Sequence, residues 1–392
     1  MTGLRGVDSA DRREARGAGR RRPLPAHGSV SHTEGVSSTV VVNHAWSGSD
    51  DVAWSEIGSG LPVLVGGWWM SHLERDWDYP PLRGFLQTLA RHRRVIRMDA
   101  PGNGLSRSRS APADSIEPHL DAMRAVLDDA GVERASLFAG SSGCAVAVEF
   151  AARFPERVRR LILAGAYLDG SAIAPAADRA ALIELVRQSW GVSSRVMSDI
   201  FYPDATAEQR AAYARHQRST ATAQAAAAGL EAVYAYDAVR SAAAVTNPTL
   251  VIHRRGDRAI PLALGVQTAA TIPGAQLEVV DGVAHHPWHG DVAAVLRPAL
   301  AFDGVDEASL RGESFALDHG ASTVADAPAT DVISPREREV LLLVSQGRTD
   351  AQIAAELFLS IHTVHRHVAN ARTKLSVSSR SAAAAWVAAH PV

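Results

Sequence analysis

The sequence predicts an α/β fold over its larger part and a separate all-helical domain at its C-terminus. Three observations carry this. Short apolar runs ("PVLVGG", "RVIRM", "RASLFAG", "RVRRLILAG", "NPTLVIH") alternate with segments of helical spacing. That pattern implies a mostly parallel sheet with helices on both faces. Between Leu168 and about Ala244 the alternation stops, and an Ala-rich helical stretch reads as an insertion capping the sheet. From Ile333 onward every segment reads as helix.

The elements follow in order. "TVVVNHAW" and "DVAWSEIG" are strand candidates separated by the turn "SGSDD". "PVLVGG" is a buried strand running into glycines, and "RVIRMDAPGNG" a strand ending in a loop that Asp99 is expected to shape. "IEPHLDAMRAVLDDAG" has helical spacing and a Gly stop. "RASLFAGSSG" is strand then turn, and "AVAVEFAARFP" a helix. "RVRRLILAGAY", "NPTLVIHRRGD" and "AQLEVVDGVAH" complete the strands. Residues 1–38 are Arg-, Gly- and Ser-rich with little apolar content, the composition of a disordered tail. After Phe302 an acidic, Ala/Gly/Ser-rich stretch without periodicity reads as a linker over 303–332. The expected domains are therefore 39–302, with a cap at about 168–244, and 333–392.

At 392 residues the chain exceeds one ordinary core. Its net charge of −2 excludes a polycation, so any nucleic-acid contact must come from a local patch. A single cysteine, Cys144, forbids an internal disulfide and gives no sign of export. No apolar run approaches the roughly 20 residues of a membrane span. A cytoplasmic protein without membrane contact is expected.

"FAGSSGCAVAVEF" places serines in a Gly-rich turn between a strand and a helix, the context of a G-x-S-x-G nucleophile elbow. Ser142 is the expected nucleophile, with Cys144 in place of the last glycine. The backbone N–H of Gly143 would be one oxyanion donor, and that of Trp68, after "PVLV", the other. Asp257 and His285 each follow a strand, in the order Ser, Asp, His. In this set His285 takes the serine proton, while Asp257 orients the imidazole and stabilises its charged form. A small turn residue is the plainer reading of Ser142 alone; the constellation argues against it. His286 and His289 have no accompanying carboxylate or Cys cluster, so neither a metal nor a cofactor is expected. Trp68, Trp69 and Trp77 are candidates for a ligand cleft or for core.

On these motifs, residues from about Thr39 to Phe302 resemble the α/β-hydrolase superfamily. "GWWMSHLERDWDYPPLRGFLQTLARHRRVIRMDAPGNGLS" resembles a bacterial subgroup whose hydrolase-like domains are fused to regulatory modules. Gly66 stands where many hydrolases have His. The fold implied is an α/β-hydrolase fold with a helical cap.

The C-terminal segment "ISPREREVLLLVSQG" opens with Ser334 as N-cap and Pro335 in the first turn, and Gly347 ends it. "DAQIAAELF" is a short second helix. Ser360 caps a third, running to about Leu375, and "RSAAAAWVAA" is a fourth. On the third, Ile361, Val364, Val368, Ala371 and Leu375 share one side and are expected to pack. His362, His365, Arg366, Ala369 and Thr373 face the other way. Thr363, His367 and Lys374 flank them and suit phosphate contacts.

"SPREREVL", "IAAEL", "TV.RHV.N" and "KL.V.SR" resemble the LuxR-type helix-turn-helix in order and spacing. The resemblance implies that the third helix enters the major groove and that domain pairs bind inverted half-sites. It implies base-facing positions at His365, Arg366 and Ala369, with Arg366 the main candidate for guanine. Lys is commoner at 365 and 369, and Asp350-Ala351 replace the usual Asn-Lys.

The expected function is a DNA-binding transcriptional regulator, dimeric on double-stranded DNA, whose hydrolase-like domain binds a small-molecule effector. An active esterase- or lactonase-like serine hydrolase with a DNA-binding appendage is the alternative. A third reading makes the C-terminal bundle a self-association module.

Overall fold

The computed structural model describes residues 40–107, 115–311, 315, 335–357, 359–375 and 379–389. The expected tail at 1–38, the cap residue Ser334 and most of the expected linker lie outside the described residues.

The first elements are β1 (Asn43–Ser47), β2 (Asp50–Ile57), β3 (Pro62–Gly66), α1 (Leu73–Trp77), α2 (Pro80–Ala90) and β4 (Arg94–Met98). There follow α3 (Glu117–Asp129), β5 (Ala135–Gly140), α4 (Gly143–Arg153) and β6 (Val158–Ala164). Five helices come next: α5 (Ala176–Gln188), α6 (Trp190–Phe201), α7 (Ala207–Thr220), α8 (Ala223–Ala235) and α9 (Val239–Ala242). Then come β7 (Thr249–Arg254), α10 (Leu262–Thr271), β8 (Gln276–Val280), α11 (Ala293–Phe302) and α12 (Glu307–Arg311).

The eight strands form one sheet in the order β1-β2-β4-β3-β5-β6-β7-β8. β1 pairs antiparallel with β2, and β2 with β4; every later pairing is parallel. All six residues of β5 are buried, as a central parallel strand requires. One apolar cluster joins α3 and α4 to one face of the sheet, and a second joins α2 and α11 to the other. In α4, Gly143 through Ala151 are all buried, so this helix is apolar nearly all round. Its one acid, Glu149, is held by Arg153 at 2.5 Å. The helical stretch expected over 168–244 is present as α5–α9 between β6 and β7. Thr206 opens α7 with a capping box to Gln209.

The packed unit runs past Phe302. Leu310 and Phe315 are buried against the α11 side of the sheet. Arg297 donates to the Leu310 carbonyl at 2.6 Å and lies over the Phe315 ring. The start of the expected linker is thus part of the core, because two isolated apolar residues in a polar stretch each find a site.

The C-terminal helices are α13 (Pro335–Ser345), α14 (Asp350–Glu356), α15 (Ile361–Lys374) and α16 (Arg380–Ala389). They enclose their own core of Val340, Leu341, Ile353, Val364, Val368, Ala371, Ala383 and Val387. Gly347 has φ +81° just past α13, where the chain reverses at low cost because glycine lacks a Cβ. Among the described residues no helix is long and apolar enough to cross a membrane.

Candidate functional site

Three loops at the carboxyl ends of β5, β7 and β8 bring a serine, an aspartate and a histidine together. His285 Nε2 lies 2.8 Å from Ser141 Oγ, and His285 Nδ1 lies 2.7 Å from Asp257 Oδ2. The expected Ser142 is not the serine that meets the imidazole. Ser142 has helical φ −58°, stands at the N-cap of α4 and donates its hydroxyl to the Gly67 carbonyl at 2.9 Å. Ser141 instead occupies the turn, with φ +53°, the positive value among described non-glycine residues. A serine held there stores strain and is aimed outward from the strand end.

The elbow frame is therefore Ala139-Gly140-Ser141-Ser142-Gly143, with its departure at the first small position rather than the last. In that frame the residue after the turn serine is Ser142, and Gly143 has a steric role. A Cβ on Gly143 would sit 2.2 Å from Gly67 Cα, and one on Gly67 would sit 2.3 Å from Gly143 Cα. Both must be glycine for the loop after β3 to approach α4. Trp68 follows Gly67 in that loop. Among the described residues, no protein acceptor takes the backbone N–H of Trp68 or Ser142.

Asp257 is buried, and Oδ1 accepts from the N–H groups of Ala259 and Ile260 at 2.9 and 3.1 Å. Burial alone would raise its pKa, but the adjacent His285, its hydrogen bond and the Ile260 N–H outweigh burial and hold the carboxyl below its ordinary value. A carboxylate at Nδ1 fixes the Nδ1–H tautomer and leaves the Nε2 lone pair for Ser141. His285 is anchored from the cap as well. Its N–H donates to the Phe201 carbonyl at 2.8 Å, and the two rings stack at 5.4 Å. Gly165, at φ +62°, leaves room for the imidazole, since a Cβ there would meet His285 Cε1 at 3.0 Å.

His286 and His289 turn away from the serine. His286 stacks on Trp288, and His289 stacks on Tyr202 and meets the Tyr79 hydroxyl at 2.9 Å. Among the described residues no cluster of three or more His, Cys, Asp or Glu could hold a metal. Asp99 shapes its loop, accepting from Leu73 and Leu105 N–H groups at 3.2 and 2.8 Å. Cys144 is buried and its thiol is pushed up by burial, away from thiolate chemistry.

Beside the elbow lies a cavity of about 570 Å³. Its wall includes Gly67, Trp68 and Ser142 from the elbow side, and Ala225, Ala228 and Gly229 of α8 from the cap. Trp69 fastens that roof, its indole N–H donating to the Ala226 carbonyl at 2.9 Å. Trp77 is in the core, outside this wall.

In the C-terminal domain His365, Arg366 and Ala369 are exposed on α15, and Thr363 and His367 are half-buried. The side chain of Lys374 lies outside the described ones. Val364, Val368 and Ala371 pack as expected, whereas Ile361 in the first turn is 49% exposed. Sequence reasoning missed two residues here. Thr349 caps α14 in a reciprocal box with Gln352, and Asp350 holds His365 at 2.5 Å and also Arg380. The signal for the first was present, because Thr-x-x-Gln precedes an apolar run.

A mostly parallel sheet carrying Ser, His and Asp at its carboxyl edge, beneath a helical insertion, defines the α/β-hydrolase class of fold. Residues 39–289 match the family described as alpha/beta hydrolase fold, and the chain belongs to that family. Residues 331–387 match the family described as bacterial regulatory proteins, luxR family, so the C-terminal region is a LuxR-type helix-turn-helix domain. Over 258 residues the chain is 28% identical to 2-hydroxy-6-oxo-2,4-heptadienoate hydrolase of Pseudomonas putida, covering 59% of this chain and 84% of that enzyme. Over 54 residues it is 43% identical to the transcriptional regulatory protein LiaR of Bacillus subtilis, covering 14% of this chain and 26% of LiaR. A crystal structure of a hydrolase from Pseudomonas aeruginosa superposes with TM-score 0.58 and 25% identity, over 67% of this chain and 98% of that one.

Proposed function

We propose that this protein is a cytoplasmic DNA-binding transcriptional regulator whose α/β-hydrolase domain binds a small-molecule effector. The observation that carries the reading is the pairing, in one chain, of a cavity beside a reactive-serine turn with a LuxR-type domain. Groups on the exposed face of α15 meet base edges in the major groove, with Arg366 on guanine and Thr363, His367 and Lys374 on phosphates. Two copies bind an inverted site. An electrophoretic mobility shift with the full chain tests this. Arg366→Ala is expected to weaken specific binding by about 1–3 kcal/mol. Absence of any shift at low salt rules the regulator out.

The hydrogen-bonded set of Ser141, His285 and Asp257 favours a second reading, in which the domain also turns over its guest. Ser141 Oγ adds to an ester or lactone carbonyl as His285 Nε2 takes its proton. The N–H groups of Trp68 and Ser142 hold the oxyanion, and the imidazolium returns the proton to the leaving alcohol. Water then cleaves the acyl-serine by the same route. The relative named as a heptadienoate hydrolase supports hydrolysis of small carbonyl compounds. A fluorophosphonate probe is expected to label wild type and Ser142→Ala but not Ser141→Ala. If folded wild-type protein takes no label, the effector-binding reading stands alone.

A further inference from the structure

Trp69 follows Trp68 in the loop after β3, and its side chain reaches into the cap. Its indole N–H donates to the Ala226 carbonyl of α8 at 2.9 Å. Its ring meets those of Trp190 and Phe201, the first and last residues of α6, edge-on at centroid distances of 5.9 and 6.2 Å. Trp190 is itself tied down, donating its indole N–H to the Ala221 carbonyl at 2.9 Å, just before α8. One side chain of the loop thus touches two cap helices.

The sequence of α8 carries the matching feature. The helix reads AQAAAAGLEAVYA, with a single glycine in an alanine-rich run. Glycine in a helix interior is unfavourable relative to alanine. At position 229 the space it leaves is used. A Cβ there would lie 2.8 Å from Trp69 Nε1, 2.9 Å from Cδ1 and 3.4 Å from the Trp69 carbonyl oxygen. Both the indole and the backbone of Trp69 rest against that gap. The cap holds the base as well, since Phe201 stacks on the His285 ring and accepts the His285 N–H. It therefore grips the loop after β3 through Trp69 and the loop after β8 through Phe201.

We propose that Trp69 is a positioning residue: bonded to α8 and seated on Gly229, it fixes the loop after β3 so that the adjacent Trp68 N–H is aimed at the oxyanion. This rests on the turnover reading and gives the cap a part in it. A backbone donor in a loop has no side chain to steer it, so its direction follows from what anchors its neighbours. A misplacement of about 1 Å in such a group costs about a hundredfold in rate.

The test uses the full chain and two esters, p-nitrophenyl acetate and its thiono analogue, in which sulfur replaces the carbonyl oxygen. Sulfur accepts hydrogen bonds weakly, so an aimed oxyanion donor speeds the oxygen ester far more than the sulfur one. Acylation is read as kcat/KM from p-nitrophenolate release, less the rate of Ser141→Ala. Trp69→Phe keeps an aromatic ring and removes the indole N–H. Gly229→Ala leaves Trp69 intact and fills its seat from the cap side. Each is expected to lower kcat/KM for the oxygen ester about tenfold or more and to leave the sulfur ester within about threefold. Melting curves identify folded variants, and Gly229→Ala decides alone if Trp69→Phe does not fold. The proposal is overturned if the folded variants slow both esters equally, the signature of a damaged fold or base. It is overturned equally if neither variant slows the oxygen ester. Failure of the turnover reading has a different signature: folded wild type then hydrolyses neither ester faster than Ser141→Ala, and the proposal falls with it.

Discussion

His119 is a titratable ring held neutral by its surroundings, and this has a consequence for stability. Its folded pKa of about 4 lies below the ordinary histidine value of about 6.5. Between those values the unfolded chain binds the proton and the folded chain does not. Stability from this group is therefore complete above about pH 6.5 and is lost as pH falls toward 4. His253 and His286, both lowered mainly by burial, act in the same direction. The melting temperature of the full chain is expected to fall as pH drops from 7 to 4.5, and His119→Gln to show a shallower fall. Parallel curves for the two proteins would count against a neutral His119.

At the scale of elements, the junction of β5 and α4 decides which serine is presented. Two adjacent serines offer two frames of the elbow pattern, each lacking one glycine, and pattern alone does not separate them. The choice is made by where the strand stops. Gly140 is the last residue paired to β6, and the Ser141 N–H still bonds the Ala164 carbonyl at 3.0 Å. The turn therefore falls at 141 and the helix begins at Gly143, where contact with Gly67 tolerates no side chain. Asp257 and His285 were legible because each ends an apolar run in the expected order. Helix α15 was legible on its buried side, but the tie from Asp350 to His365 and Arg380 joins three helices and has no local signature. Neutralising that acid frees the Arg380 guanidinium beside α15. Asp350→Asn is expected to steepen the dependence of log affinity on log salt by about one unit, measured by fluorescence anisotropy. An unchanged slope would place that guanidinium away from phosphate.

At the scale of the whole molecule, one buried ion pair joins segments 210 residues apart in the chain. Arg93, just before β4, and Asp303, just after α11, pair out of solvent, and Arg93 also donates to the Asp303 carbonyl at 2.8 Å. Ser136 of β5 adds a bond to the same carboxylate at 2.5 Å. Removing one partner leaves a buried charge alone. Asp303→Ala is therefore expected to cost about 3–5 kcal/mol in urea unfolding. The Arg187–Glu184 pair, half-exposed on one helix, is expected to contribute little by comparison. A loss below 1 kcal/mol at Asp303 would mean that the Arg93 guanidinium relaxes into solvent.

Periodicity and composition alone determined that this chain builds a parallel sheet, a helical insertion and a terminal helical domain, because those patterns record which faces are buried. They also ordered serine, aspartate and histidine along the strands. Only the tertiary structure decided that Ser141 rather than Ser142 meets the imidazole, that Phe315 belongs to the core, and that His119 and Tyr236 share a cavity wall. Each of these depends on distances between segments far apart in the chain, or on the residue at which a strand ends, and local sequence does not encode either.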